Sequence, residues 1–155
     1  MTPVLRRAVA GDAGLIHQLL SEMAAGEGGQ IKGSPETILR HGFGPQPRFA
    51  VILAEAETPL GLILTFPEYS SWRGQMGVYV QDLYLRPAAR GMGLGRALLA
   101  AAVRDGDWGA EFLTLMVAQG NPDARAFYRS LGFAPRDAAD PLILAGEGLA
   151  ALIAR

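Results

Sequence analysis

The hydrophobic and polar positions of this chain follow two different periods. Apolar residues recur every three or four positions in the segment 13–25, which predicts an amphipathic helix there with Asp12 at its N-cap. The pair Ser34-Pro35 predicts the start of a second helix, because serine caps helices and proline fits the first helical turn. Further helices are predicted to begin near residues 94, 121 and 147.

Alternating or continuously apolar segments predict the strands of a sheet. We expect the longest strand at residues 76–85, preceded by a loop over 67–74 that exposes Tyr69 and Trp72. A turn at Thr58-Pro59 predicts a hairpin before that loop. The six predicted strands cover residues 4–8, 49–55, 60–66, 76–85, 112–118 and 142–145.

Strands and helices are interleaved along the chain. A hairpin comes early and strand–helix–strand crossovers come later, which predicts a mixed sheet in an α/β or α+β domain. With 155 residues, 50% of them hydrophobic, the chain has the length and the apolar content of one domain. We therefore expect residues 1–155 to form a single domain.

Charge and cysteine content narrow the possible partners. The net charge of −1 provides no general basic field to attract nucleic acid. The absence of cysteine excludes disulfides, thiolate metal sites and a cysteine nucleophile. Metal-ligand spacing, a long apolar run and a signal-peptide core are all missing from the sequence. We expect a cytoplasmic protein that holds no metal and binds neither nucleic acid nor membranes.

The segment 90–99 carries the clearest chemical signal. It follows a predicted strand, contains glycines at 91, 93 and 95, and continues as a helix. Glycine lets the backbone turn tightly and approach a ligand, and N–H groups at a helix start attract anions. Arg90 and Arg96 add positive charge on both sides of the loop. Together these features predict a site for a phosphorylated cofactor. A Rossmann or P-loop origin is disfavoured, because the loop follows the fourth strand and lacks the P-loop lysine.

Two blocks of the sequence resemble the GCN5-related N-acetyltransferase (GNAT) superfamily. Arg90, Gly93 and Gly95 match the acetyl-CoA motif Arg/Gln-x-x-Gly-x-Gly/Ala. The second block is matched by Asn121, residues 124–128 and residues 131–133. The resemblance implies the GNAT fold, in which helices flank a central, twisted, mostly antiparallel sheet that splays at strands 4 and 5.

A narrower resemblance concerns the substrate-side half. The segments 41–44, 69–74 and 78–82 are similar to the diamine (spermidine/spermine) N-acetyltransferase branch. That branch commonly has Glu-Asp where this chain has Gln81-Asp82. Since Gln81 cannot act as a carboxylate base, direct proton abstraction at that position is in doubt.

The resemblance implies acetyl-CoA as the acyl donor. The pantetheine arm would pair with an exposed strand edge, next to a bulge that the family usually carries in this strand. The pyrophosphate would rest on the backbone amides of the glycine loop. The predicted cofactor-binding residues are Leu83, Tyr84, Leu85, Arg90, Gly91, Met92, Gly93, Leu94, Gly95, Arg96, Asn121, Ala124, Phe127 and Tyr128.

Tyr128 is the candidate general acid for the thiolate leaving group. A phenol has an ordinary pKa of about 10, so it stays protonated at neutral pH. The family places a tyrosine in this role at the matching position of its second block. Its spacing with Phe127 and Leu131 also fits an ordinary core tyrosine.

Asp82 is the candidate that would hold or deprotonate the acceptor amine. Aromatic rings near it would hold an ammonium ion by cation–π contact, or would instead pack under a loop or at a dimer interface. Glu22 and Glu27 would add negative charge, or would form a solvated helix face. The predicted substrate-binding residues are Glu27, Trp72, Tyr79, Gln81 and Asp82.

These assignments predict an N-acetyltransferase. It would transfer acetyl from acetyl-CoA to a primary amine of a small molecule by direct attack in a ternary complex. The acceptor would be a diamine, a polyamine or an aminoalkyl amino acid. A protein or peptide acetyltransferase and a non-catalytic acyl-CoA-binding regulatory module are the alternatives. By resemblance we expect a homodimer.

Overall fold

The computed structural model describes residues 2–136, 139 and 141–154. These residues belong to two compact units, Met1–Ala118 and Gln119–Arg155, which are described in turn. No helix among the described residues is long and apolar enough to cross a membrane.

The first unit is built on a five-stranded sheet. Its strands lie in the order of the chain, the first four antiparallel and the fifth parallel to the fourth. This arrangement confirms the predicted mixed, mostly antiparallel sheet. The strands are β1 (Val4–Arg7), β2 (Ala50–Glu55), β3 (Pro59–Ser70), β4 (Gln75–Leu85) and β5 (Leu113–Leu115).

Both faces of this sheet are covered by helices. On one face α1 (Ala13–Gly26) and α2 (Pro35–Gly42) pack against alternate residues of β2 and β3, including Leu53 and Leu62. The opposite positions of the same strands are also buried, and α3 (Leu94–Arg104) contacts β2, β3 and β4. The continuous apolar sequence of these strands follows from burial on both sides.

Two helix starts were predicted with different success. The Ser34 side chain accepts a hydrogen bond from the Thr37 N–H at 3.2 Å and Pro35 opens α2, as predicted. Asp12 occupies the N-cap position of α1, but its side chain does not cap that helix. The Asp12 carboxylate instead accepts from the Val9 N–H at 2.7 Å and from the guanidinium of Arg6. The nearby arginine supplies a stronger, charged donor than the helix amides.

The loop predicted at residues 67–74 is too long: residues 67–70 are strand and the turn covers residues 71–74, although Tyr69 and Trp72 are exposed as predicted. β3 continues to Ser70 and, with 12 residues, is longer than the 11-residue β4. Pro67 is tolerated there because β2 pairs with β3 only as far as Thr65. Beyond that point one edge of β3 is open, and a proline there removes no ladder hydrogen bond.

The other differences lie towards the C-terminal end. β5 covers three residues instead of the predicted 112–118. In the second unit α4 (Pro122–Ser130) and α5 (Gly146–Ile153) form close to the predicted positions. No strand forms among residues 141–145, so the predicted strand 142–145 was wrong. Leu142 and Ile143 are more than 90% exposed and have no ladder partner among the described residues. An extended segment without a neighbouring strand gains no pairing energy.

Candidate active site

A β-bulge interrupts β4 at Gln81. Leu64 of β3 lies opposite Asp82, whereas the next residue of β3, Thr65, lies opposite Val80. Gln81 is therefore the extra residue on the β4 side. The sequence carries a signal for this bulge, because the apolar alternation at 78 and 80 changes phase and continues at 83 and 85.

The bulge places Tyr79 and Asp82 on the same face of the sheet. Three positions separate them, so an uninterrupted strand would put them on opposite faces. Tyr79 instead lies opposite Phe66, and Asp82 lies opposite Leu64, two positions along the same face of β3. Leu64 belongs to the core under α1. The bulge thus assembles an aromatic ring and a carboxylate on the α1 side.

Pairing with β5 ends where the bulge begins. β5 pairs with Val78, Tyr79 and Val80, and the ladder stops there. The second half of β4 pairs with β3 on one side, and no described strand lies on its other side. The end of pairing at this point agrees with the splay predicted between strands 4 and 5, although β5 itself ends at Leu115. The backbone of Leu83, Tyr84 and Leu85 therefore has an edge available to an extended, amide-bearing ligand.

The glycine loop follows directly after this open edge. Gly91 and Gly93 have φ values of +77° and +78°, which side-chain-bearing residues rarely adopt. A Cβ at either position would meet nothing within 4 Å, so open space lies beside the loop. Gly93 is the N-cap of α3 and provides no side-chain cap. The N–H groups of the first helical turn lack intrahelical acceptors, and the helix dipole makes this end positive.

The residues around the loop divide into supporting and exposed ones. Leu94 and Gly95, the first two residues of α3, are buried, whereas Met92 and Arg96 are exposed. Arg90 Nε donates a hydrogen bond to the carbonyl oxygen of Leu85 at 3.0 Å. That bond ties the loop to the end of β4. The surroundings fit a phosphate-bearing ligand.

Asp82 lies in an environment that opposes its ionisation. Burial raises the pKa of the Asp82 carboxyl to about 6, and the negative charge of Glu27 contributes to the same shift. Glu27 is exposed just after the end of α1. A carboxylate of this kind favours a cationic ligand, which would offset both effects. Perturbed carboxyl groups of this type are common at active sites.

Glu22 is occupied by a structural ion pair. Its carboxylate accepts from Arg86 Nη2 at 2.7 Å and Arg86 Nε at 2.9 Å, and the Tyr84 hydroxyl lies 3.5 Å away. The hydrogen bonds from Arg86 lower the pKa of Glu22. Glu22 therefore fastens α1 to the end of β4 and does not supply uncompensated charge to an acceptor. Arg86 was missed in the sequence, because 64 positions separate the two partners and nothing local connects them.

The aromatic residues fall at different distances from Asp82. Tyr79 stacks on Phe66 with ring centroids 4.9 Å apart, near Asp82. Tyr69 and Trp72 are exposed, Trp72 to 97%, at the end of the β3–β4 hairpin. Six residues of β3 separate that end from the position opposite Asp82, which corresponds to about 20 Å. Within one chain the structure brings Tyr79, but not Trp72, to Asp82.

Tyr128 lies in the second unit, on α4. Its ring contacts those of Phe127 and Phe133, with centroids 5.1 and 5.4 Å away. Burial raises the pKa of Tyr128 above its ordinary value, so the phenol keeps its proton at neutral pH. Asn121 caps α4, since its side chain accepts from the Ala124 N–H at 3.1 Å. A proton-donor role for Tyr128 and cofactor contacts for these residues stay predictions.

Comparison with known proteins identifies the family. The model of the acetyltransferase (GNAT) family matches residues 16–133. The chain belongs to this family. The resemblance seen in the two sequence blocks is confirmed, and so is the prediction of an acetyl-CoA-dependent acyltransferase.

Individual relatives match this GNAT chain over different shares of its length. Thialysine N-epsilon-acetyltransferase of Bos taurus is 31% identical over 83% of this chain and 82% of its own length. Spermidine/spermine N(1)-acetyltransferase-like protein 1 of Homo sapiens is 31% identical over 61% of this chain but 15% of its own length. An integron cassette protein of V. cholerae has a similar structure, with a TM-score of 0.79, 21% identity and 98% coverage of both chains. The last comparison supports the predicted fold.

Proposed function

We propose that this protein transfers acetyl from acetyl-CoA to a primary amine of a small molecule, by direct attack in a ternary complex. The observation that carries the proposal is the bulge at Gln81. On one side of it the bulge leaves a strand edge open in front of a glycine loop. On the α1 face it puts Asp82 beside Tyr79. Donor and acceptor sites therefore meet at the same point of β4.

The donor half of the site consists of the open edge and the loop. The backbone of Leu83, Tyr84 and Leu85 would pair with the pantetheine amides, and the first turn of α3 would bind the pyrophosphate. The open space beside Gly91 and Gly93 fits such a group. Residues 91–96 supply the amides, with Arg90 and Arg96 as flanking charges. The family resemblance adds Asn121, Ala124, Phe127 and Tyr128 to the proposed cofactor-binding residues, and we take residues 1–155 as one catalytic domain.

The acceptor half consists of Asp82, Tyr79, Gln81 and Glu27. Ionised Asp82 holds the ammonium form of the acceptor and takes up its proton, directly or through water. Glu27 adds attraction at longer range. Gln81 is exposed at the bulge and contributes a polar but uncharged group. The neutral amine then attacks the thioester carbon.

Two further groups assist the transfer. A backbone N–H near Leu83 polarises the thioester carbonyl as negative charge develops on its oxygen. The Tyr128 hydroxyl donates its proton to the sulfur as the carbon–sulfur bond breaks. The acetylated nitrogen loses its extra proton to water, water returns a proton to Tyr128, and Asp82 releases to solvent the proton that it took from the ammonium ion. Holding both reactants together lowers the barrier by as much as about 7–11 kcal/mol.

The class of acceptor follows from the relatives and from the acidic site. The first relative is named for thialysine and the second for its likeness to spermidine/spermine acetyltransferases, and these amines carry a primary amine and at least one further cationic group. Asp82 and Glu27 suit such a cation. A role for Trp72 in acceptor binding then requires a second copy of the chain, which agrees with the homodimer that we expect.

The test is CoA release from acetyl-CoA across a panel of diamines, polyamines, diamino acids, aminoglycosides and short peptides. Tyr128→Phe is assayed beside the wild type. We expect turnover of small amines and a kcat lower by about 100-fold in the variant, with unchanged affinity for acetyl-CoA. Turnover of peptides alone would contradict the acceptor class. A variant with full kcat would remove Tyr128 from the mechanism.

A further inference from the structure

The side chain of Arg90 is bonded to the strand edge that we assign to the donor. Its Nε donates a hydrogen bond to the carbonyl oxygen of Leu85 at 3.0 Å, five residues back along the chain. The glycine loop begins directly after Arg90, so the sequence suggested a role for its charge beside a phosphate. A bond to a backbone carbonyl is a different role, and its effect depends on the direction in which that carbonyl points.

The direction of the Leu85 carbonyl follows from the next residue. The Arg86 N–H donates to the carbonyl oxygen of Leu60 at 2.8 Å and therefore points towards β3. The C=O and the N–H of one trans peptide unit point in opposite directions, so the Leu85 C=O points away from β3, to the open side. Gly61 agrees with this pattern, because a Cβ there would collide with the carbonyl oxygen of Tyr84, which therefore faces β3.

The open edge between the bulge and the loop offers a short series of backbone groups. In an antiparallel pair, successive residues direct their N–H and C=O alternately towards the neighbouring strand and away from it. Tyr84 faces β3, so Leu83 and Leu85 direct both of their groups to the open side. The N–H and C=O of Leu83 and the N–H of Leu85 are available there. The last group of the series, the Leu85 C=O, is occupied by Arg90.

We propose that Arg90 is a positioning residue that sets the register of the donor on β4. By occupying the Leu85 C=O, its guanidinium ends the series of acceptors on the open edge. The Leu83 C=O is then the last acceptor before the loop that a pantetheine N–H can use. The thioester end of the donor is thereby kept at the bulge. The inference rests on the proposed function, because it assumes that the donor pairs with this edge.

The bond matters because a free Leu85 C=O would offer a second position to the same pantetheine N–H. The two positions are two residues apart, which is about 7 Å along the strand. A donor shifted by that distance would still bind, but its thioester would lie away from Asp82 and the acceptor amine. Acetyl-CoA would resist the shift, since the loop holds its pyrophosphate. S-acetylpantetheine has no pyrophosphate, so its register depends on the strand edge alone.

The chemistry of the bond separates this role from a role of the arginine charge. Arginine Nε and glutamine Nε2 are both N–H donors attached to Cδ, and methionine has a similar unbranched shape without a donor. The motif that Arg90 matches accepts arginine or glutamine at this position. Arg90→Gln and Arg90→Met both remove the charge, and Arg90→Gln alone can keep the bond to Leu85.

The experiment compares Arg90→Gln and Arg90→Met with the wild type. Steady-state kinetics are measured with an amine that the wild type acetylates and with two donors, acetyl-CoA and S-acetylpantetheine. Arg104→Gln, in the exposed last turn of α3, is the control for the loss of an arginine. The NMR shift of an isotope-labelled thioester carbonyl, measured without amine, reports whether each donor reaches the Leu83 N–H. Circular dichroism checks that each variant is folded.

We expect Arg90→Met to lower kcat with S-acetylpantetheine about tenfold without raising KM, the size of effect that one hydrogen bond has on the choice of register. With acetyl-CoA the loss should stay below about threefold. Arg90→Gln should restore most of the activity with both donors, and the control should behave as wild type.

Several kinetic results would overturn the role of Arg90 in register. Equal losses in Arg90→Gln and Arg90→Met, or a loss confined to acetyl-CoA, would show that the charge acts on phosphate. A higher KM with unchanged kcat would show that the residue merely supports the loop. Unchanged kinetics in Arg90→Met would show that the bond to Leu85 has no part in donor binding.

The carbonyl shift separates this inference from the acetyltransferase proposal. If no amine is turned over but the shift of bound S-acetylpantetheine changes in Arg90→Met and not in Arg90→Gln, the proposed reaction fails and the role of Arg90 stands. If amines are turned over and the shift is the same in Arg90→Met and the wild type, the reaction stands and the role of Arg90 fails.

Discussion

The two halves of β4 differ in how their backbone is used. From residue 75 to 80 the strand has β3 on one side, with β5 joining on the other at Val78, and Gly77, Val78 and Val80 are buried. From residue 82 to 85 it pairs with β3 alone, and each residue is half-buried. Gln81 lies at the boundary.

This difference separates stability from binding within one strand. Backbone groups paired on both sides contribute to the sheet and have no capacity left for a ligand. Groups with an open side are available to a ligand and contribute less to folding. At the bulge, over a single residue, β4 changes from a strand paired on both sides to a strand with one open side. The bulge also moves Asp82 to the α1 face.

The largest effect is expected from deleting Gln81. Without the extra residue, every side chain from Asp82 onward would turn to the opposite face, or the register with β3 would slip. We expect kcat/KM with a small amine to fall by at least about 100-fold. Acetyl-CoA turnover measures this loss.

The control for the deletion is Gln81→Ala, which keeps the bulge. It should lose far less activity than the deletion, because it removes one polar acceptor contact and keeps the bulge, and its melting temperature should stay close to the wild type. If the deleted protein folds, as judged by circular dichroism, and acetylates amines normally, the bulge does not organise the site.

The next effect concerns the first half of β4, residues 75–80, which has neighbouring strands on both sides. Val80 is 4% exposed, and Val80→Ala should lower the free energy of unfolding by about 2 kcal/mol. Gln81→Ala, one position away, should change it by less than about 0.5 kcal/mol, because the Gln81 side chain is exposed. Urea denaturation gives both values. Equal losses would mean that the two halves do not differ in packing.

A smaller effect on stability is expected at Asp82, where the substitution should stabilise the protein instead of destabilising it. Its pKa is raised to about 6 in the folded protein, so the folded state binds the proton more tightly than the unfolded chain does. The stability contributed by this proton is present at low pH and is lost as the pH rises through about 6. At pH 8 wild-type Asp82 is ionised in an unfavourable environment.

Asp82→Asn removes that cost. We expect it to raise the free energy of unfolding at pH 8 by about 1 kcal/mol, allowing for solvent screening, and to change it little at pH 4. The same variant should lose about tenfold in kcat/KM, a binding cost of about 1.4 kcal/mol. Urea denaturation at the two pH values and steady-state kinetics measure the effects. Equal changes in stability at both pH values would show that ionisation of the buried Asp82 carboxyl does not destabilise the folded protein.

The smallest effect is expected at the ion pair that fastens α1 to β4. Glu22→Gln weakens the contact with Arg86, whose side chain is 26% exposed. We expect a loss of about 0.5–1 kcal/mol in unfolding free energy, smaller at high salt. Thermal denaturation at low and high ionic strength tests this. A loss that is independent of salt would indicate a packing defect rather than a lost ion pair.

Sequence reasoning located the features that are encoded locally. Ser34 and Asn121 cap their helices as expected, and the strand, glycine loop and helix around Gly93 follow in the predicted order. Each depends on a few neighbouring residues whose backbone preferences act in the same direction.

The features that sequence reasoning missed depend on distant partners. Asp12 binds Arg6 instead of capping α1, and Glu22 binds Arg86 across 64 positions. The segment 142–145 has the composition of a strand but no neighbour to pair with among the described residues. A local sequence pattern does not identify a partner that lies far away along the chain.

Amide hydrogen exchange along β4, measured with and without acetyl-CoA, shows whether the donor binds at the open edge of this strand. We expect residues 76–80 to be protected in both states. The amides of residues 83–85 that point away from β3 should exchange rapidly in the free protein and slowly in the complex. That result would show that the open half of β4 receives the donor. If acetyl-CoA binds but the exchange of residues 83–85 does not change, the open edge of β4 is not the donor site.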